Sequence, residues 1–204
     1  MDIYEIMEEF YECIRKALEE FAKTEDNKDV YAMVFDCTAE IGQIALRYNN
    51  RAHFTAHLAE YERYYKECGW SVYGLHGSEY EPGEFTFIDY ETTKLVKHYF
   101  DSYYYYSWDE NYFGEGEPEG LLDKEGNISK ESETFRASLW NLVIKTIERL
   151  MDDIHKGDIG IDISDDFIFF HCDHDQSDEE RDKMISKTVD FKLMDKLINK
   201  SGIK

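Results

Sequence analysis

Two long stretches of this chain repeat apolar side chains with the period of an α-helix, and this repetition restricts the possible folds more than any other feature. Within residues 3–21 and 132–156 the apolar residues recur three and four positions apart, so each stretch has one apolar face. Such a face must be buried against another layer of structure. Segments rich in β-branched and aromatic residues, as strands are, occupy 30–38, 41–49 and 166–175. This order predicts an α+β fold with a mainly antiparallel sheet covered by helices, as a single domain over 1–204.

Shorter patterns predict the elements in the first half of the chain. Segments 30–38 and 41–49 are separated by a short turn, so we expect an antiparallel pair. A second amphipathic helix is predicted over 53–68, and Gly69 stands where its C-terminal cap would be. Residues 70–75 have a composition that suits a further strand.

The second half contains both regular patterns and an irregular acidic region. Pro82 and Gly83 predict a turn before a short strand, and helical spacing resumes over 91–106. Residues 109–129 are rich in glycine and acidic residues, which predicts a long loop or insertion. A closing helix is predicted over 178–200.

The charge of the chain restricts its partners. The sequence has 45 acidic and 23 basic residues, a net charge of −22. This charge repels nucleic-acid phosphates and anionic membranes, and it favours a basic partner or serves only to keep the protein dispersed. The apolar runs are far shorter than the ~20 residues of a membrane span, and the N-terminal residues lack the pattern of an export signal. We therefore expect a cytoplasmic protein that binds neither nucleic acid nor membrane.

The four cysteines predict no disulfide framework. Cys13, Cys37, Cys68 and Cys172 lie far apart and form no C-x-x-C pair. Such spacing is typical of reduced, structural thiols.

The segment "HCDHDQSDEERD", residues 171–182, is the best candidate for a metal site. It contains two histidines, one cysteine and six carboxylates. On a strand the candidate ligands fall on alternating faces, and their spacing matches no specific zinc or calcium motif. The alternative is a strand end followed by a helix whose Ser177 and Glu180 form a capping box. The metal hypothesis, which we rank second, would use His171, Asp173, His174 and Asp175.

A second pair of histidines has helical metal-ligand spacing. His53 and His57 lie four residues apart, as in zinc metalloproteases, but Phe54 stands where those enzymes need a general-base glutamate. We interpret the pair as surface or core-edge residues.

The tyrosine run is the candidate partner-binding site. Four consecutive tyrosines cannot all face one core, so some of them must be exposed or must meet a ligand or partner. Tyrosine and tryptophan suit protein recognition, and neighbouring carboxylates would add an acidic rim. The predicted partner-binding residues are Tyr103, Tyr104, Tyr105, Tyr106, Trp108, Asp109 and Glu110. The alternative is a helix-to-loop corner that packs on both sides.

No motif in the sequence assigns catalytic residues or a cofactor. The chain has no nucleophile elbow, no phosphate-binding loop and no dinucleotide fingerprint, and its glycine-containing segment 114–120 is acidic. Cys172 has histidines nearby in the sequence, but adjacent strand residues point apart. We predict no catalytic residue and no cofactor, and favour a protein that is not an enzyme.

Four phrases of the sequence carry a resemblance to a known family. They are "DVYAMVFDCT", "CGWSVYG" with Trp70, "LWNLVIKTIERL", and "FIFFHCDHDQSDEERDKMISKTV" with Asp173 and Asp175. Together they resemble the bacterial family known as domain of unknown function 4303, over most of the chain except 101–130. The family supplies no catalytic residues, and by analogy it implies an immunity or accessory protein encoded beside a toxin.

Three functions remain open from the sequence. The preferred hypothesis is a non-enzymatic bacterial protein that binds a basic protein, as an immunity-type neutraliser of a cognate toxin domain. The second is a metal-dependent hydrolase or metal-binding protein that uses the 171–175 cluster. The third is a small-ligand-binding domain that uses the tyrosine-rich corner as a stacking surface.

Overall fold

Helices cover both faces of a four-stranded sheet in the computed structural model, which describes residues 3–38, 43–89, 130–173 and 176–200. This architecture confirms the predicted α+β class. The helices of the described ranges are α1 (Ile3–Phe21), α2 (Arg51–Cys68), α3 (Lys130–Lys156), α4 (Asp178–Ile185) and α5 (Phe191–Lys200). The strands are β1 (Val30–Thr38), β2 (Gln43–Asn50), β3 (Phe87–Asp89) and β4 (Ile163–Asp173).

The sheet has the order β3-β2-β1-β4. The predicted antiparallel pairing of β1 with β2 is confirmed, β3 joins β2 antiparallel, and β4 runs parallel to β1. The helix predicted over 91–106 and the loop predicted over 109–129 both lie outside the described residues. No helix in the described ranges has the length and apolar character needed to cross a membrane.

Two separate cores form because strand side chains alternate between the faces of the sheet. Met33 and Phe35 of β1 pack on one side against α1 and α3, and Ala32 and Val34 pack on the other side against α2, α4 and α5. On β4, Phe169 belongs to the first core while its neighbours belong to the second. The sheet is thus the middle of three layers.

Residues 70–75 do not form the predicted strand. Ser71 makes one isolated bridge to Gly77, and residues 72–75 form bends and a turn. Val72 and Leu75 are buried in the second core, so their apolar character reflects packing and not strand pairing. The Gly74 amide donates to a carboxylate of Glu79 instead of to a neighbouring strand.

The predicted closing helix is two helices, α4 and α5. The chain leaves the helical path at 186–190, where the Thr188 hydroxyl donates to the Phe169 carbonyl at 2.9 Å. The Asp190 carboxylate then accepts from the amides of Lys192 and Leu193 at the start of α5. Asp190, a helix-capping residue inside the apolar periodic pattern, therefore divides the predicted helix into two.

Candidate functional site

The sequence-predicted partner site falls outside the structure's described ranges. Tyr103 to Tyr106, Trp108, Asp109 and Glu110 all lie between residue 90 and residue 129. Their role stays a prediction, as does the third hypothesis, which uses the same corner.

The "HCDHD" stretch is divided between the two faces of the sheet. His171 is 1% exposed and pairs across the sheet with Phe35, whereas Cys172 is buried in the core on the other face. His174 and Asp175 lie outside the described residues. Within the described part, no three histidine, cysteine or carboxylate side chains are grouped to hold a metal ion.

Burial also determines the chemistry of this strand. It lowers the pKa of His171 from its ordinary value of 6.5 to about 4, because the charged imidazolium would lose its hydration. Burial raises the pKa of the Cys172 thiol, which disfavours the nucleophilic thiolate. The predicted capping box is confirmed: Glu180 N donates to Ser177 Oγ at 3.4 Å, and Ser177 N donates to Glu180 Oε2 at 3.0 Å.

The histidines of α2 have different surroundings. His53 Nε2 lies 3.3 Å from an Asp26 carboxylate oxygen, and the His53 ring packs edge-on against Phe87. His57 is half-exposed and lies beside Glu60. The helix begins two residues earlier than predicted, since Asn50 Oδ1 accepts from the His53 amide as an N-cap.

An ionic cluster around one buried carboxylate, which was not predicted from the sequence, joins α2, α5 and the start of β4. It consists of Arg51, Glu79, Asp166 and Lys200. Glu79 is 0% exposed and accepts from Arg51 Nη1 and from Lys200 Nζ, the latter at 2.6 Å. Arg51 also reaches Asp166 at 2.5 Å and lies over the Tyr31 ring, 4.0 Å from its centroid.

The ionic cluster fixes the segment that leads away from α2. The second oxygen of Glu79 accepts from Gly74 N at 2.7 Å, and the Glu79 carbonyl accepts from the Tyr31 hydroxyl at 2.7 Å. The backbone of Gly77 passes so close to that of Tyr73 that a Cβ at Gly77 would lie 2.7 Å from the Tyr73 carbonyl oxygen. The buried Glu79 therefore holds residues 71–80 against the core through these hydrogen bonds.

The C-terminus of α2 presents three aromatic rings at or near the surface. Gly69 has φ +75°, and the Trp70 amide donates to the Tyr65 carbonyl at 2.8 Å, as in a Schellman cap. The Trp70 ring packs against the Tyr65 ring, with centroids 5.8 Å apart. The Tyr64 ring also packs against the Tyr65 ring, with centroids 5.6 Å apart. Tyr65 is buried, but Trp70 remains 61% exposed and Tyr64 55% exposed.

These rings line a surface that we call the aromatic–acidic groove. It comprises two adjoining hollows of about 660 and 520 Å³ that share Tyr64, Tyr65 and Glu84. Its charged lining in the described part belongs to Glu60, Glu67, Glu81, Glu84, Asp178, Arg63 and Arg181. Five carboxylates against two guanidinium groups make this lining negative by three charges.

Glu84 lies at the centre of the groove and differs from the nearby groove carboxylates Glu81 and Asp178 in its hydrogen-bond partner. Arg181 donates to Glu81 at 2.9 Å and to Asp178 at 3.1 Å, and so forms an ion pair with each. Glu84 Oε1 accepts instead from the neutral Tyr65 hydroxyl at 3.1 Å. Among the residues described, no cation lies within ion-pair distance of Glu84. Burial, and then the Glu84 charge, raise the pKa of Tyr65, which keeps the hydroxyl protonated as a donor.

The sequence contains a pattern that indicates where Trp70 packs, namely an aromatic residue directly after the capping Gly69. An aromatic residue directly after a capping glycine lies where it can pack back on the last helical turn, here on Tyr65. Gly69 was predicted as that cap, so its successor could have been placed on the same turn. The position of Glu84 beneath these rings depends on the folded path of 71–86, which no local pattern specifies.

No family model, curated protein or solved structure matches the chain. The resemblance to the domain of unknown function 4303 family therefore stays a prediction. Function has to be inferred from the chemistry of the aromatic–acidic groove.

Proposed function

We propose that this protein is a non-enzymatic binding protein that holds a basic protein partner in the aromatic–acidic groove. The single observation that supports this most is the exposure of Trp70 and Tyr64 beside Glu84, a carboxylate with no described cationic partner. Exposed aromatic side chains at a concave site are typical binding anchors. The carboxylate selects a positive charge.

Charge and aromatic rings have separate tasks in this mechanism. The net charge of −22 speeds encounter with a basic protein through long-range attraction. Burial of the Trp70 and Tyr64 rings by the partner then slows dissociation, because their apolar area leaves water. Association should therefore depend on salt, whereas dissociation should depend on the rings.

We further propose that the partner is a basic toxin domain, which this protein neutralises as an immunity-type protein. A toxin that acts on an anionic substrate needs a basic surface, and an acidic protein bound there would block access to it. The acidic lining of the groove and the net charge support this form of the function.

The test is selection from a phage library that displays fragments of the genome encoding this chain. Fragments are selected on the wild-type protein and counter-selected on a Tyr64→Ala, Trp70→Ala double variant. We expect enriched fragments to be basic, and the association rate of a purified fragment should fall about tenfold as NaCl rises from about 50 to about 500 mM. Neutralisation predicts that the fragment is toxic when expressed alone and harmless when co-expressed with this chain.

The matched control is Phe191→Ala, because Phe191 is a 77% exposed aromatic residue that does not line the groove. This variant should retain every enriched fragment. Enrichment of acidic or neutral fragments, or equal recovery on the double variant, would contradict binding of a basic partner in the groove.

A further inference from the structure

Two arginine sites in the described part of the protein are built from the same parts. Arg51 lies over the Tyr31 ring and pairs with Glu79. Arg149 lies over the Tyr11 ring, with its Cζ 3.5 Å from the centroid, and donates to Glu8 at 2.7 Å. In each site a tyrosine face and a carboxylate hold one guanidinium group, by stacking and by an ion pair.

The aromatic–acidic groove has the tyrosine and the carboxylate of such a site but no described arginine between them. Tyr65 donates its hydroxyl to Glu84, so the carboxylate is oriented at the edge of the aromatic corner. Tyr64 and Trp70 both pack against Tyr65. Two guanidinium groups line the groove: that of Arg181 is occupied by Glu81 and Asp178, and that of Arg63 forms no ion pair with Glu84 in the described part of the chain.

We infer that the groove recognises an arginine side chain of the partner, which inserts between Trp70 and Tyr64 and pairs with Glu84. This inference rests on the proposed function, since it names the chemical group by which the basic partner is held. Arginine suits the site better than lysine, because its planar guanidinium stacks on aromatic rings and loses its weaker hydration more readily. A lysine would satisfy the charge of Glu84 but would gain less from the rings.

The geometry also explains why a single arginine suffices as an anchor. Glu81 and Asp178 are already paired with Arg181, which leaves Glu84 as the carboxylate of that hollow without a described cation. Glu84 is shared by both hollows, so the chain on either side of the arginine can continue along the groove. The partner segment is therefore an extended one with a central arginine.

The experiment compares three synthetic peptides of equal length with the full protein. They contain four glycine–arginine, glycine–lysine or glycine–citrulline repeats, and binding is measured by calorimetry and by the change in tryptophan fluorescence. We expect the arginine peptide to bind about fivefold more tightly than the lysine peptide of equal charge, and the uncharged citrulline peptide to bind weakest.

Two variants assign the binding to the groove. Glu84→Gln should weaken the arginine peptide about tenfold, and Trp70→Phe should remove most of the fluorescence change while retaining a ring for stacking. Glu148→Gln, which changes an exposed carboxylate on α3, is the matched control and should alter affinity less than about twofold. Thermal unfolding of each variant confirms that it is folded.

The possible failures separate this inference from the proposed function. Equal affinity for the arginine and lysine peptides would overturn arginine recognition and leave a groove that binds basic partners by charge. Arginine preference that survives both Glu84→Gln and the Tyr64→Ala, Trp70→Ala double variant would place the site elsewhere and overturn the inference too. An arginine peptide that fails to bind up to ~10 mM would also overturn it, while the display selection decides the proposed function independently.

Discussion

Two glutamates five residues apart, Glu79 and Glu84, have opposite surroundings in the same segment of chain. Glu79 is fully buried and accepts from Arg51, Lys200 and the Gly74 amide. Glu84 lies at the surface of the aromatic–acidic groove and accepts from the Tyr65 hydroxyl. The first carboxylate is compensated from within the protein, whereas the second is available to a partner.

The difference separates a structural site from a candidate binding site by electrostatic criteria. A buried carboxylate is tolerated only when cations and hydrogen bonds replace its lost hydration, and Glu79 has both. A carboxylate that remains hydrated needs no such compensation, so a groove carboxylate can stay unpaired with little loss of stability. The ionic cluster around Glu79 also holds residues 71–80, and through them the path that leads to Glu84.

The largest expected effect comes from removing a cation of the ionic cluster. Arg51→Met should reduce the free energy of unfolding by about 3–5 kcal/mol, because it leaves Glu79 buried with one cation fewer and removes the guanidinium that covers the Tyr31 ring. Urea unfolding followed by circular dichroism measures the loss. Lys183→Met, which breaks an exposed pair with Glu179, is the control and should leave the unfolding midpoint almost unchanged. Comparable losses in both variants would show that the cluster is no more than a surface ion pair.

The interior contains a further ionisable group, His171, which burial keeps neutral. Above pH 6.5 the imidazole is neutral in the folded and unfolded chain. Between pH 6.5 and about 4 the unfolded chain binds a proton that the folded protein excludes, so stability falls by about 3 kcal/mol as the pH drops through this window. Below about pH 4 the folded state binds it too, and the loss from this group stops growing.

Denaturant unfolding at several pH values tests this expectation. His171→Gln removes the titrating group and keeps a polar side chain, so its stability should depend much less on pH between 6.5 and about 4 than that of the wild type. Asp166 changes the stability in a lower pH range than His171 does. Burial opposes its ionisation, but hydrogen bonds from Arg51 and Ser164 together with the charges of Arg51 and Lys200 outweigh burial and lower the pKa of Asp166, so its contribution is lost only in stronger acid. If the stability of His171→Gln varied with pH as that of the wild type does, the lowered pKa of His171 would not be the cause of this pH dependence.

The same contrast explains which features could be predicted from the sequence. Helical periodicity predicted α1, α2 and α3, and the β1–β2 pairing followed from strand composition. These features depend on residues near one another in the chain. The capping box at Ser177 was predicted for the same reason.

Long-range pairing was beyond such reasoning. Glu79, Asp166 and Lys200 are separated by 87 and 34 positions, and no local pattern indicates that they share one cluster with Arg51. The segment 70–75 was interpreted as a strand because its buried residues are apolar, although its backbone is held by Glu79. The groove was missed for a related reason, since the run of four tyrosines is a stronger local signal than the pair on α2 that the fold places beside Trp70.

A smaller effect is expected from the cap that orients Trp70. Gly69 has φ +75°, and a Cβ at this position would meet no atom within 4 Å, so Gly69→Ala introduces backbone strain without a steric clash. We expect a loss of about 1 kcal/mol in the free energy of unfolding and weaker binding of the arginine peptide. Gly157→Ala, at φ +80° after α3, is the matched control: it should lose similar stability but leave the groove intact. Equal weakening of peptide binding in both variants would mean that the Gly69 cap does not position Trp70.

The smallest effect on stability should come from Glu84 itself, and this makes it the sharpest test of the comparison. Glu84→Gln keeps an oxygen that can accept from the Tyr65 hydroxyl, so the free energy of unfolding should change by less than about 0.5 kcal/mol. Glu79→Gln should be far more destabilising, because it removes the buried charge that pairs with both Arg51 and Lys200. Urea unfolding and peptide titration of the two variants therefore give opposite patterns: the buried glutamate changes stability first, and the groove glutamate changes binding alone. If Glu84→Gln destabilised the fold as much as Glu79→Gln, the groove carboxylate would be a second structural charge, and its availability to a partner would no longer follow from its position.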